Sequence, residues 1–575
     1  LKKVFIFLFS FLFIASATIT SGVLLSGSSY SVPASEDAGG GIQDSENLEL
    51  DSDEGSTENE NNVTSNATEP TNDDSWANHY ASSFARGTGY ETDPYQIETA
   101  EQLSLLAVNV NSGTNYNGSY FEQTADIDLS AYWWDAIGTY TSSSDYNEFA
   151  GHYDGGAHTV SGVFTQAGSS STYSYQGLFG YVRGASSTNR AEISNVGVIN
   201  SNIQGYDNVG GIAGGDYYTN ITNCYNMGSV TGSSSVGGVV GSNTNSSTVT
   251  NCYNAGSVTS SGQYVGGVAG LSSSSTVSNS YNTGSVTGHF RVGGVVGHSG
   301  SSSKVSNSYN TGTVLGSDYV GGVVGHNFST VSNSYNTGSV TGSSFYVGGV
   351  AGYNANGSTI NNSYNTGDIS GSSYVGGVVG ENYSSTVSNS YNSGTVIARS
   401  ESSEQTYIFG YAGGIAGRSS STISNSYNTG NVSCITAGIN PSRYPSYAYV
   451  GGISGNGGNI YNCYNLATIT GTATAYLTSG YTYVGGITGS SGSIYNSYNL
   501  GQIGSTAGTA FLGGISGTFS TSATASNCYY GGGCASSVGG INSADVDGQA
   551  EYLGTITTDA KTESWYGSSS TVTWN

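Results

Sequence analysis

The 575-residue chain holds 89 Gly, 46 Tyr and 16 Phe but only 8% charged residues, which supplies too much aromatic area for a disordered tail and too little ionisable chemistry for an ordinary enzyme. Its 11 Lys and Arg stand against 37 Asp and Glu, a net charge of −26, which excludes nucleic acid as a partner because that affinity rests on neutralising phosphates.

In chain order, residues 1–17 read as a signal peptide: Lys2 and Lys3, an apolar core from Val4 to Ile14, and the small-x-small site Ala15-Ser16-Ala17. The apolar stretch is short of the ~20 residues a spanning helix needs, so contact with a membrane is expected only through this segment. Residues 18–76 read as an acidic linker, with thirteen acids and no Lys or Arg between Ala34 and Ser75. Residues 77–165 read as an N-terminal capping module with the first coils. Within it "TAEQLSLLAVNV" (99–110) offers Thr99 as N-cap, Gln102 three residues on, and Leu103, Leu106 and Val110 along one face, a short capping helix.

Residues 166–535 are repeats. Tyr-Asn recurs at Tyr225, Tyr253, Tyr281, Tyr309, Tyr335, Tyr364, Tyr391, Tyr427, Tyr464 and Tyr498, at first every 28 residues, and each copy carries a Gly-Gly pair such as Gly266 or Gly293. The unit shows period-two alternation and no helical period, and three short strands per copy cannot bury a face alone. A propeller needs longer units with tight hairpins, so the expected fold is all-β, a parallel β-helix (solenoid) of about a dozen coils and roughly 55 Å length at ~4.8 Å per coil. Identical residues then stack, with Tyr225, Tyr253, Tyr281, Tyr309, Tyr335, Tyr364 and Tyr391 as a structural ladder. Alternation assigns Val277, Asn279 and Tyr281 to one side, the core, with the Asn row bonding side chain to side chain, and Ser278 and Ser280 to the other. Insertions at 397–411, 434–448 and 472–482 fall in the same link and should bulge as loops from one side, where repeat scaffolds carry binding residues. Residues 536–575 read as a C-terminal cap with Trp565 and Trp574.

Candidate chemistry is sparse. His298 and His326 hold the same place one copy apart, with Tyr353 and Glu381 in the next copies. No third strong ligand adjoins them, so they read as exposed turn residues and no metal or cofactor is expected. There is no HExxH motif, and Asp318, Asp368, Glu381, Arg291 and Lys304 are scattered, so no catalytic residue is assigned. Asp126, Asp128, His152, Asp154 and His158 are the densest polar group and read as part of the capping module. Thr283, Ser285 and Thr287 recur as Thr337, Ser339 and Thr341, which reads as a solvated hydroxyl face, ice or glycan binding being the alternatives. Cys224 and Cys252 share one place in consecutive copies. Stacked coils bring their Cα atoms to ~4.8 Å, within disulfide range, so a Cys224–Cys252 bridge is the candidate. Cys528 and Cys534, in "NCYYGGGC", could close a local loop.

The segment "GTGYETDPYQIETAEQLSLLAVNVNSG", then "ADIDLS", "YDGGAHTVSGVF", "GLFGYV" and the runs of "YVGGVVG" and "NSYNTGSVTG" resemble the Glug-motif family of bacterial surface proteins over about residues 84–575. That resemblance implies adhesin-like relatives, some similar to filamentous haemagglutinin, and non-catalytic repeat regions of immunoglobulin A peptidases. Most copies here have Gly-Gly-Val or Gly-Gly-Ile; Gly177-Leu178-Phe179-Gly180 keeps the eponymous form. The expectation is a secreted or cell-surface, non-enzymatic adhesin that binds glycan or protein of a host or neighbouring cell through a β-helix face and the inserted loops. The alternatives are a structural stalk or a repeat region of a larger peptidase-like protein, and a polysaccharide-active enzyme.

Overall fold

In the computed structural model the structure describes residues 68–402, 407–439, 444–490, 492–519, 523–531 and 550–552. The signal segment 1–17, nearly all of the linker, and the expected cap 536–575 with Trp565 and Trp574 apart from 550–552 lie outside them. The chain divides into Leu1–Asn59 and Glu60–Asn575, and the described residues all belong to the second unit.

One coil shows the plan. Thr276–Ser278, Tyr281–Asn282, Val286–Thr287, Phe290–Gly293 and Val296–Ser299 are its five strands, one on each of five faces. Each pairs in parallel with its copy in the next coil: Val277 with Val305, Tyr281 with Tyr309, Val286 with Val314, Val292 with Val320 and Val296 with Val324. The first and second faces become 15-stranded sheets and the third to fifth 11-stranded sheets. Parallel pairing throughout these sheets makes the architecture a β-helix and not a propeller.

Five strands replace the expected three because the alternation is cut at corners. Asn279 takes φ 50, as do its copies Asn223, Asn251, Asn307, Asn333 and Asn362 within a few degrees, and Asn is among the few side chains that tolerate that region. The corner also reverses the facing of the residues after it. Ser280 and Asn282 point into the core and are fully buried, whereas Tyr281 lies on the outer surface, half-buried. The Tyr row is therefore not core, contrary to the expectation from alternation. Its rings stack outside the wall with centroids 4.9 Å apart from Tyr225 to Tyr309, 4.8 Å from Tyr309 to Tyr364 and 4.7 Å between Tyr364 and Tyr391.

Inside, Val rows meet an amide row. Asn226, Asn254, Asn282, Asn310, Asn336, Asn365, Asn392, Asn428, Asn465 and Asn499 are all fully buried. The Nδ2 of Asn282 donates to Oδ1 of Asn310 at 2.8 Å and to the Gly284 carbonyl at 2.7 Å, and Asn310 repeats this toward Asn336 and Gly312. Most corner asparagines form a second ladder of opposite polarity, donating to the preceding coil, as Asn307 does to Asn279 at 3.1 Å and Asn333 to Asn307 at 3.2 Å. The Gly-Gly pair opposes the buried row. A Cβ on Gly267 would lie 2.3 Å from Cγ of Asn282, and one on Gly266 would lie 2.0 Å from the Ala269 carbonyl oxygen. Neither glycine has a left-handed φ; close approach is what excludes a side chain there.

At the N-terminal end the helix Ala100–Asn111 is the chain segment that connects the first two rungs of the first face, Tyr95–Ile97 and Tyr120–Gln123, which pair directly with each other. Thr99 caps it, and Oε1 of Gln102 accepts from the Glu98 amide at 2.7 Å. Leu103, Leu106 and Val110 join the solenoid core. The folded part starts before residue 77: Trp76 is buried, its Nε1 donates to the Leu129 carbonyl at 2.8 Å, and Glu69 accepts from Asn202 at 2.7 Å.

Removing Asn310 from the buried row takes one bond from each neighbour, the acceptor of an Asn282 N–H and the donor to Asn336 Oδ1. Asn310→Ala should lower unfolding free energy by about 1–3 kcal/mol, and Gly294→Ala, whose Cβ would meet Asn310 Cγ at 2.4 Å, should cost more. Asn307→Gly, in the corner row, should cost much less. Urea midpoints for the three variants check this ranking, and equal losses for Asn310→Ala and Asn307→Gly would refute it.

Candidate functional site

Among the described residues most of each insertion is strand, not loop, with 475–479 irregular. The insertions lengthen the third- and fourth-face strands to Val396–Ser402 and Ile408–Gly413, Val432–Gly438 and Ser446–Gly451, and Ile469–Thr474 and Gly480–Gly485, and these pair in register from coil to coil. The two extensions pack on each other as a thin fin. Ala398, Cys434, Ala448 and Ala473 point inward, and a Cβ on Gly410 would meet Sγ of Cys434 at 2.6 Å, so small residues let the layers close. Large residues alternate outward. Phe409, Tyr447 and Tyr481 stack at 5.2 and 5.3 Å, with Phe409 38% and Tyr407 55% exposed.

Nearer the solenoid, a second outer ladder runs through Tyr319, Tyr346, Tyr374, Tyr411, Tyr449 and Tyr483 to Phe511 at 4.9–5.1 Å. Ring planes in this ladder are close to parallel, so interior rings cover one another's faces and turn edges and hydroxyls to the solvent. Stacking a sugar on these interior faces is closed.

A row that does not copy itself lies at the corner of the fourth and fifth faces. The outward row of the fifth face reads Leu271, His298, His326, Tyr353, Glu381, Arg418 in successive coils. His298 and His326 are not the exposed turn residues expected from their place after Val-Val-Gly. They sit in strands with rings 5.1 Å apart, and His326, 5% exposed, packs among Tyr319, Phe328 and Tyr353. Rings of Tyr319, Phe328 and Tyr353 cover this outward side chain. Burial pushes His298 down to about 4, with the Arg291 charge adding to it, and burial with His298 and Arg291 pushes His326 to about 3. Nε of Arg291 donates to Nδ1 of His326 at 3.0 Å, and its guanidinium lies 4.9 Å from the Tyr264 ring.

Glu381 is 4% exposed and lies 3.3 Å from Nη1 of Arg418, which is half exposed and 5.9 Å from the Tyr374 ring. Burial raises the Glu381 pKa; Arg418 and the Tyr346 hydroxyl oppose it. Glu381 and Arg291 look scattered in the sequence because they come from different coils; stacking in register brings Arg418 to the first and His326 to the second. Aligning the residue after Val-Val-Gly across copies is the signal that finds this row.

The polar groups of the N-terminal module are spent on structure. His158 pairs with Asp126 at 3.4 Å and His152 with Glu192 at 3.5 Å, while Asp126 caps the Thr159 amide and Asp154 accepts from Asn195. No group of three metal-ligating side chains forms among the described residues. Thr283, Ser285, Thr287, Thr337, Ser339 and Thr341 all face solvent. Cys224 and Cys252 occupy stacked places as buried thiols, with the Cys224 amide donating to Sγ of Cys252 at 3.4 Å. Each thiol donates to the carbonyl two residues back, Thr222 at 3.3 Å and Thr250 at 3.2 Å, as Ser280 does to Ser278 at 2.8 Å, so Cys here fills the place of Ser. Cys528 is a buried thiol as well, and Cys534 lies outside the described residues.

The GLUG motif is matched at residues 232–259, 288–315, 316–341, 343–370 and 371–397, which makes these coils GLUG-motif repeats. Halomucin of Haloquadratum walsbyi is 33% identical over 162 residues, 27% of this chain and 2% of that protein. A protein of Evansella cellulosilytica provisionally named as a Gly-rich membrane protein is 36% identical over 110 residues, 18% of this chain and 11% of that one. The matches thus span a small part of either relative. A solved structure provisionally described as an immunoglobulin A1 protease from Bacteroides ovatus aligns with 63% of this chain and 80% of its own at 18% identity and TM-score 0.29.

The folded pKa values of His298 and His326 lie below the ordinary imidazole value, so the unfolded chain binds protons first. Their contribution is full above about pH 6.5 and is lost as pH falls toward about 3–4. Replacing both by Phe should therefore shrink the fall in melting temperature between pH 7 and pH 5, and an unchanged fall would refute the assignment. For Cys224 and Cys252, an oxidised bridge predicts two fewer alkyl labels by intact mass when the exported protein is denatured without reductant than with it, and burial predicts none on either thiol while folded.

Proposed function

We propose that this chain is a secreted or cell-surface GLUG-repeat protein without catalytic activity, an adhesin that binds glycan or protein on a host or neighbouring cell through the fin. The observation that carries the reading is the exposed apolar surface of the fin, where Tyr407, Phe409, Ile439, Tyr476 and Leu477 gather, whereas Leu315, Phe345, Tyr383 and Tyr461 are exposed elsewhere along a wall rich in Ser, Thr and Asn. Exposed apolar patches rimmed by polar residues mark interaction surfaces. The leader-like segment 1–17 supports export, and relatives named a halomucin and a membrane protein are in keeping with a place at the surface. No helix among the described residues is long and apolar enough to cross a membrane.

A structural stalk is the second reading, favoured by the Asn and Tyr rows, which satisfy their own bonds along the wall and ask for no ligand. Residues 68–575 probed on a glycan and extracellular-matrix array, beside a variant with Tyr407, Phe409, Tyr447 and Tyr481 changed to Ser, separate the two. Binding that falls about tenfold in the variant supports the adhesin. Absence of binding by either protein supports the stalk.

A further inference from the structure

We propose that the corner formed by Glu381, Arg418, Tyr346, Tyr353 and Tyr374, with His326 and Arg291 at its lower end, is a subsite for a neutral hexose-rich oligosaccharide, separate from the outer surface of the fin.

The first ground is variation inside the chain. Rows that pack on themselves repeat with little change: the inward row of the fifth face is Val240, Ala269, Val296, Val324, Ala351, Val379, Ala416. Self-stacking accounts for such a row, because a residue that fits its own copy is retained in each coil. The outward row beside it changes chemistry at nearly every step, from Leu271 to His298 and His326, Tyr353, Glu381 and Arg418. Self-stacking does not account for that row, and it is the one that lines the corner.

The second ground is cost. A carboxylate 4% exposed is expensive to desolvate, and Glu381 has only Arg418 and the Tyr346 hydroxyl to offset this. His326 has Nδ1 engaged by Arg291, which puts its proton on Nε2, and that nitrogen is buried with no partner. Neighbouring coils fill equivalent places with Leu271 or Tyr353, so the fold itself does not require these groups.

The third ground selects the ligand. Glu381 supplies acceptors, Arg418 and the His326 Nε2–H supply donors, and phenolic hydroxyls lie around them. Adjacent sugar hydroxyls match that pairing, one donating to the carboxylate and the next accepting from the guanidinium. Arg291 and Arg418 are balanced by Asp318 and Glu381, which leaves no net charge to hold an anionic polymer. Tyr353, on the fifth face, crosses Tyr319 at 87° and Tyr346 at 66°, so its ring meets the ladder edge-to-face beside the polar groups. A linear chain lying along the solenoid axis meets a new rung every ~4.8 Å.

The test is calorimetric titration of the full exported chain with cellohexaose, mannohexaose and maltohexaose, and with oligogalacturonate as the charged comparison. At least one neutral hexaose should bind, about tenfold more weakly to Glu381→Gln and to Arg418→Met, and unchanged to the Tyr407, Phe409, Tyr447, Tyr481 to Ser variant. Should Glu381→Gln fail to fold, Arg418→Met, at a half-exposed position, carries the same comparison. The proposal is overturned if no neutral hexaose binds at about 1 mM, if binding survives the corner substitutions, or if oligogalacturonate binds more tightly than all three. Loss only in the fin variant would overturn the corner and leave the fin reading standing.

Discussion

The buried asparagine row is the constraint on which the rest of the solenoid depends. An amide in an apolar interior must find both a donor and an acceptor, and here each finds its own copy one coil away. That requirement fixes the register. The separation between bonded asparagines is 28 residues at Asn226, 26 at Asn310 and 36 at Asn392, yet the bond stays at 2.8 Å. Extra residues therefore have to leave the wall, and they do so at the link between the third and fourth faces, where they build the fin. The same row dictates glycine opposite, since a Cβ at Gly267, Gly294 or Gly322 would lie within 2.4 Å of an asparagine Cγ.

Self-pairing divides the surface into two kinds. Along the second face the corner asparagines and the tyrosines complete their contacts within their own rows, and the third face shows mostly short hydroxyl side chains. Such a wall gives a ligand little to hold except water-exchangeable hydroxyls. Where a row stops copying itself, as from His298 to Arg418, side chains from different coils confront one another and polar groups are left for something else to satisfy.

Stacking also changes what an aromatic residue can do. A tyrosine alone on a surface offers a ring face, whereas one inside a ladder at 4.9 Å gives both faces to its neighbours. A composition of 46 Tyr thus overstates the aromatic area open to a partner. Among the described aromatics left open are Tyr407 and Phe409 on the fin, and Phe345 and Tyr383 on the wall.

Much of the architecture was legible in the sequence. The recurrence of Tyr-Asn and Gly-Gly, with period-two alternation and no helical period, determined a stacked β-solenoid, and the Thr99 cap with Leu103, Leu106 and Val110 determined the helix at its start. Periodicity could not show where alternation breaks. Asn279 at φ 50 inverts the facing of the residues after it, so Tyr281 went outward and Asn282 inward against the simple count. Nor could it turn three apparent loops into a fin, because the small inward residues Ala398, Cys434 and Ala448 gain meaning only from the layer they meet. The pairing of Glu381 with Arg418, 37 positions along the chain, was decided by the tertiary structure alone, since register brings neighbouring coils together irrespective of how much chain separates them. Local sequence sets which residues repeat; the corner angles and the ladder set which of them touch.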